Sequence, residues 1–255
     1  MLARISASFS FAALLTCLGC GGSGGAPGST VPRADPSGLW SGTVTYESAT
    51  SLPAFAIVQN DILHAYTFED IYWINTRAPL QVSGNELVGS GIAFIANWAR
   101  WTSTGTFWAP ASFVGKVTEK QSMNFLVTQD SFKAAYSLTF DGSILNRSID
   151  LSSVAGEYYS DHNNNSSRGY RFITLESNGK FVIKDTFNGV GNFGTITSLY
   201  PNVNLFHVNY INEKNYMYSG NGYFSDSLSG GLNNQLTLVL TSVGFEPFIM
   251  RMKKK

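Results

Sequence analysis

Charge is scarce in this sequence. Only 13% of its 255 residues are charged, and 17 Lys and Arg balance 17 Asp and Glu. Without a basic excess no field steers a polyanion, which excludes an electrostatic nucleic-acid binder. The hydrophobic share of 44% excludes a disordered polar chain, which pairs low hydrophobicity with high net charge. Cysteine occurs only at Cys17 and Cys20, leaving none in the body of the chain. Histidine occurs only at His64, His162 and His207, without the clustering a metal site needs, and no metal or other cofactor is expected. Apolar runs approaching the about 20 residues of a spanning helix are missing beyond residue 18.

What is present begins with an address. Arg4 precedes an apolar stretch from Ile5 to Leu18, and residues 1–19 read as an export signal. The run Leu15-Thr16-Cys17-Leu18-Gly19-Cys20 resembles the lipobox of bacterial lipoproteins, with Cys20 after the small Gly19 as the lipidation site. Cys17 stands where that family usually has Leu, Val or Ile, and cleavage before Cys17 is the alternative. The resemblance implies a diacylglyceryl thioether, an acylated amine (palmitate the usual kind of chain) and membrane attachment through several acyl chains. Gly21 after the cysteine, in place of Asp, implies the outer membrane under that family's sorting rule. Residues 20–37, rich in Gly, Ser and Pro, read as the lipidated cysteine and a flexible tether. The formal G-x-S-x-G at Gly21 to Gly25 lacks the strand before it and the helix after it that a nucleophile elbow requires.

Beyond Ser37 the periodicity is two. Trp40, Val44 and Tyr46 alternate with Ser41, Thr43, Thr45 and Glu47; Tyr136 to Phe140 repeats the pattern, as does Leu236 to Leu240 except at Val239. Such alternation marks strands with one buried face. Asn60-Asp61, Ser83-Gly84-Asn85, Asp141-Gly142, Ser177-Asn178-Gly179 and Ser229-Gly230-Gly231 supply turns. Ile92 to Trp101 is ambiguous by itself, and its neighbours favour strand. Ser37-Gly38-Leu39-Trp40-Ser41-Gly42 is echoed by Ala155-Gly156-Glu157-Tyr158-Tyr159-Ser160. The expectation is an all-β chain of two tandem small antiparallel β-barrel or barrel-like units, 38–150 and 151–255, after the tether. Asp150-Leu151-Ser152-Ser153 between them reads as a capped turn short enough for the units to touch.

Gly38-Leu39-Trp40 at the start of a small barrel resembles lipocalins and the avidin-like and transferrin-binding-protein-like barrels, where the tryptophan closes one end. The glycine run Gly21 to Gly25, the start Gly38 to Gly42 and the second start Gly156 to Tyr159 together resemble a group of outer-membrane lipoproteins of Gram-negative bacteria. That likeness brings a location and an architecture, not an activity.

The search for chemistry yields mainly rejected motifs. Asp161-His162-Asn163-Asn164-Asn165 opens like a calcium loop, but Ser166 and Phe172 occupy the places of its Gly and Glu. Gly189 to Gly194 is a formal G-x-G-x-x-G with Glu213 beyond it, yet Thr195-Ile196-Thr197 is β-branched and no helix start follows to hold a pyrophosphate. The carboxylates, Glu69 and Asp70 included, show no distinctive pair. No enzyme is expected. The feature that remains is aromatic: Phe94, Trp98, Trp101, Phe107 and Trp108 surround Arg100; Tyr66, Phe68, Tyr72 and Trp73 form a second cluster; Tyr216, Tyr218, Tyr223 and Phe224 form a third. Trp98, Arg100, Trp101, Trp108, Tyr72 and Trp73 are the candidate binding residues, for a glycan, a hydrophobic ligand or another envelope protein. Trp98 and Trp101 differ in parity, so one regular strand cannot turn both inward. The functions in play are a non-enzymatic binding or structural module on a lipid anchor, a lipocalin-like carrier of a hydrophobic small molecule, and an envelope hydrolase.

Overall fold

The computed structural model describes residues 32–46, 50–67, 72–97, 109–130, 132–160, 171–185, 192–199, 202–212, 214–226, 232–241 and 248–255; of residues 50, 72–74, 94–97, 185 and 248 it describes the backbone alone. Alternating sequence becomes antiparallel strand throughout. The first eight are β1 (Gly38–Tyr46), β2 (Thr50–Gln59), β3 (Ile62–Thr67), β4 (Tyr72–Ser83), β5 (Glu86–Asn97), β6 (Ala109–Thr118), β7 (Ser122–Gln129) and β8 (Phe132–Phe140). Each pairs with the next, and β1 pairs with β8 through Trp40↔Phe140 to Tyr46↔Ala134, closing a barrel. Closure leaves this sheet no open edge. The ambiguous stretch from Ile92 is strand as far as Asn97.

The chain then turns twice as short helix, α1 (Gly142–Leu145) and α2 (Leu151–Val154). Asp141 and Asp150 cap them, accepting from the backbone N–H of Ile144 and Ser152 respectively. Asp141-Gly142, expected as a plain turn, is therefore a helix start. A second closed barrel follows: β9 (Gly156–Ser160), β10 (Arg171–Leu175), β11 (Lys180–Asp185), β12 (Asn192–Ser198), β13 (Phe206–Ile211), β14 (Met217–Ser225), β15 (Gln235–Thr241) and β16 (Phe248–Lys254), with β16 returning to β9. Asn60 and Asp61, at φ 50° and 57°, form the two-residue hairpin between β2 and β3, and Gly84 at φ 59° opens the one between β4 and β5.

The echo between the two starts is structural. Gly38 and Gly156 hold φ 139° and 144°, values that a side chain strongly disfavours. Two residues on, Trp40 and Tyr158 turn inward and are buried. The Trp40 indole N–H donates to the carbonyl of Pro36 at 2.9 Å, and the Tyr158 hydroxyl donates to that of Val154, each four residues back. Each ring thus stoppers its barrel and pins the chain that enters it. Residues 32–37, within the stretch read as tether, lie at this end of the first barrel: the Ala34 N–H donates to the carbonyl of Gly84 at 2.8 Å, and Arg33 pairs with Asp61.

Both interiors are filled. In the first barrel the rings of Trp40, Phe113, Phe125 and Tyr136, from β1 and β6–β8, face Ala54, Ala56, Ala65, Ala78 and Ala93 from β2–β5. Large residues on one wall opposite small ones on the other suit a narrow lumen. Phe125 stacks on Tyr136 at 4.5 Å, and Trp40 meets Phe140 edge-on at 5.3 Å. In the second, Tyr158, Phe181, Phe206 and Phe224 pack with Leu236, Leu238, Leu240, Met250 and Met252. Here glycine provides the room. A Cβ on Gly194 would lie 2.1 Å from Cζ of Phe181, so that ring rests directly on the β12 backbone.

The barrels belong to one compact unit, residues 31–255, and touch through a third buried cluster. Leu39, Ile57 and Tyr66 on the outer wall of β1–β3 meet Leu205, Tyr223 and Val239 of the second barrel, with Ile144 and Leu145 of α1 packed against the same cluster. Val239, the exception to alternation in β15, is 3% exposed because its strand is covered on both faces. Asn204, fully buried, fastens α1 to the second barrel: its N–H donates to the carbonyl of Leu145, its amide donates to the carbonyls of Ile144 and Phe224, and its oxygen accepts from the Phe224 N–H. Arg147 adds a bidentate pair with Asp226 at 2.6 and 2.9 Å.

Candidate functional site

Strand order decides where the candidate residues belong. β1 ends at Tyr46, β3 at Thr67, β5 at Asn97 and β7 at Gln129, all at the end of the first barrel opposite Trp40. Tyr72 and Trp73 open β4 at this rim, paired with Asn97 and Ala96 of β5. Trp98, Arg100, Trp101 and Trp108 lie outside the described residues, in the sequence between β5 and β6. Topology therefore places Tyr72 and Trp73 at this end of the first barrel and says nothing of the other four. The parity argument on Trp98 and Trp101 falls outside the described residues, as do Cys20, Cys17, Glu69, Asp70 and the Asp161 to Asn165 run.

Beneath this rim the interior changes character. Tyr46, Thr67, Thr76, Gln129 and Tyr136 face inward and are buried, whereas the opposite end is lined by Val58, Leu63, Leu87, Val117, Met123 and Leu138. The period of two sets this, because each polar residue shares a face with an apolar one two positions away, as Gln129 does with Val127. Gln129 donates its amide to the carbonyl of Ala93 at 2.7 Å, and its own oxygen has no hydrogen-bond partner among the described residues. Thr76 Oγ1 donates to the carbonyl of Ala65 at 3.3 Å. Burial pushes the Tyr136 hydroxyl well above the ordinary tyrosine range, with Thr76 beside it as a partly opposing influence. Tyr46 stacks on Phe132 at 6.2 Å. The tier holds two neutral hydroxyl side chains from β3 and β4, two tyrosines and one amide, a set that recognises by hydrogen bonding and carries no nucleophile–base pair.

The other aromatic clusters are split by the fold. Tyr66 and Tyr223 go to the contact between the barrels, where their hydroxyls lie 3.2 Å apart. Phe224 is core, Tyr218 packs on Tyr210 at 5.7 Å, and Tyr216 is exposed. The Arg251 guanidinium sits over the Phe55 ring at 4.9 Å. On the outer wall of β3, two residues before Tyr66, His64 is 9% exposed; burial, aided by the Arg77 charge, lowers its pKa to about 4 and keeps it neutral. The G-x-G-x-x-G run ends in strand: Asn192–Ser198 is β12, and Gly194 is the seat of Phe181. Sequence reasoning missed Gln129, Thr76, His64 and Asn204 as interior or buried polar groups. Gln129 was marked only by a polar residue in inward parity with Met123, Phe125 and Val127, and a lone Asn204 in a loop carried no signal.

Among the described residues no group of three or more His, Cys, Asp or Glu side chains is placed to hold a metal ion. No helix among them is long and apolar enough to cross a membrane. In comparisons with known proteins, no family model, no curated protein and no solved structure matches the chain.

Proposed function

We propose that this protein is a lipid-anchored component of the outer membrane that works by binding, with the rim of the first barrel opposite Trp40 as its recognition surface. The observation that carries the reading is the filling of both lumens by their own side chains. A barrel packed in this way offers rims and outer walls to a partner, not a deep apolar cavity. The rim is where the aromatic-rich sequence around Trp98, Trp101, Trp108, Tyr72 and Trp73 joins the strands, and aromatic side chains with an arginine among them suit a glycan or a protein surface. The lipobox-like run ending at Cys20 supports the anchor, and Gly21 supports the outer membrane.

Labelled palmitate in a Gram-negative host tests the anchor. The wild-type chain takes the label and sediments with the outer membrane, and Cys20→Ala loses both. A Cys20→Ala chain that is still acylated and membrane-bound would sink this assignment and make Cys17 the first suspect. Recognition at the rim is tested by replacing Trp101 and Trp108 with alanine and measuring binding to envelope glycans and to cross-linked envelope proteins; unchanged binding removes the rim from the proposal.

The carrier of a hydrophobic molecule is the second reading, favoured by the buried Gln129 oxygen and the alanines around it. Native mass spectrometry of the folded chain decides between them, since a carrier retains a bound lipid mass and a binding module gives the mass of the protein alone.

A further inference from the structure

The outer wall of the second barrel carries an apolar band that its own fold leaves uncovered. Val182 of β11 pairs with Phe193 of β12, Phe193 with Ile211 of β13, and Ile211 with Met217 of β14. All four share the outward face, so they form one transverse row across four neighbouring strands. Phe193 is 66% exposed, Ile211 44% and Met217 69%. A second row lies beside it: Lys253 of β16 pairs with Tyr159 of β9, Tyr159 with Phe172 of β10, and Phe172 with Lys184 of β11. Phe172 is 39% exposed, and the two rows meet where Val182 and Lys184 stand two residues apart on β11.

The chemistry of this band is selective. Single exposed apolar residues are ordinary, but a contiguous row of Phe, Ile and Met on a flat strand surface marks a contact site. Aromatic rings flanked by lysines are the composition that settles at a lipid–water boundary, with rings at headgroup depth and ammonium groups on the phosphates. Among the described carboxylates of the two rows there is only Glu157, at the far end beyond Thr174 and Val182, and it is ion-paired with Lys255. The contact between the two barrels uses other residues, Leu205, Tyr223 and Val239.

We propose that this wall of β9–β14 lies against the anionic surface of a phospholipid bilayer, so that the second barrel rests on the membrane. The proposal extends the lipid-anchor reading but stands on the wall alone. Residues 31–255 form one compact unit that holds the described members of all three buried clusters, so the chain from Pro32 onward is tested without any lipid of its own.

The experiment is flotation of residues 32–255 with vesicles of phosphatidylglycerol and phosphatidylcholine in equal parts, and with phosphatidylcholine alone. The wild-type chain floats with the mixed vesicles, more weakly with phosphatidylcholine, and less as salt is raised. F193S/M217S lowers the bound fraction about tenfold, and K184E steepens the loss on phosphatidylglycerol vesicles. Val114→Ser, an exposed site on the first barrel, leaves flotation unchanged. Circular dichroism and melting of each variant confirm that the fold is retained, as expected for exposed positions. Absence of flotation, equal flotation of F193S/M217S, or an equal loss with Val114→Ser overturns the proposal. So does a wild-type dimer in sedimentation that F193S/M217S dissociates without any vesicle binding, which would make the band an interface between two copies. Because the anchor is absent from this chain, failure here leaves the Cys20 assignment standing, and failure of palmitate labelling leaves this one standing.

Discussion

The hydroxyls of Tyr66 and Tyr223, 157 residues apart in sequence, meet at 3.2 Å in the buried contact between two closed barrels. Neither side chain belongs to its own barrel's lumen; both turn outward from their strands and are buried only because the second barrel covers the first. A hydrogen bond between neutral phenols in such a place fixes how two otherwise smooth walls dock.

Removing one hydroxyl takes this partner from the other. Tyr66→Phe is expected to cost about 1–2 kcal/mol, Tyr223→Phe about the same, and the double variant less than their sum by about 1 kcal/mol. Urea unfolding of the four proteins measures the coupling, and strict additivity would show that the pair contributes nothing specific.

The same pair sets an alkaline limit. Burial raises the Tyr66 pKa well above its ordinary 10.0 and that of Tyr223 above it too. The folded protein therefore holds protons that the unfolded chain releases, and stability is complete below about pH 10 and falls as pH rises past it. Y66F/Y223F flattens that decline in a pH series of melting temperatures.

An acidic limit comes from His64. With its pKa depressed from 6.5 to about 4 by burial and then by the Arg77 charge, the unfolded chain binds the extra proton over that interval and the folded one does not. Stability is thus complete above pH 6.5 and drops by up to about 3 kcal/mol as pH falls to 4. His64→Gln removes this slope; a slope retained in the variant would place its origin in the carboxylates.

Asn204 answers four backbone groups at once. Asn204→Ala keeps its own N–H bond to Leu145 but leaves the Ile144 carbonyl and both polar backbone groups of Phe224 without its amide, two of them in a buried setting. A loss of about 3–5 kcal/mol is expected, read from urea denaturation, with Asn204→Asp little better because it supplies no donor.

The glycines separate strain from crowding. Gly38→Ala places a Cβ 2.5 Å from the Phe140 ring at φ 139°, whereas at Gly156 the nearest atom is the flexible Lys254 Cε at 3.0 Å with φ 144°. Gly38→Ala is expected to cost about 3 kcal/mol or more and Gly156→Ala about 1–2. Gly194→Ala, with its Cβ 2.1 Å from Cζ of the Phe181 ring, is expected to exceed both. Thermal melts rank the three, and a Gly156→Ala loss equal to that of Gly194→Ala would contradict this account.

Strand-by-strand alternation made the two barrels legible in advance, because one buried face imposes a period of two wherever it occurs. The echo of Gly38-Leu39-Trp40 by Gly156-Glu157-Tyr158 was equally legible, and the structure gives its cause in paired positive φ values and two inward rings that bond four residues back. The candidate rim was legible only as a cluster of aromatics along the chain. That Tyr72 and Trp73 open β4 where β5 ends follows from strand register, a property of the sheet that no local window contains. Asp141-Gly142 read as a turn because an N-cap and a turn draw on the same residue types.

By itself, then, the low share of charge and the period of two determined that this chain is β-rich, folded and written twice, since local sterics and the burial of one face act within a few residues. Only the tertiary structure decided the rest. Val239, one apolar residue out of phase, became a contact between barrels; Tyr66 and Tyr223 became partners; the third glycine of a nucleotide-like motif became the seat of a phenylalanine; and Phe193, Ile211 and Met217 became one uncovered row. Each depends on residues far apart in sequence being brought to the same place by strand register and barrel closure, and register is a property of the whole sheet.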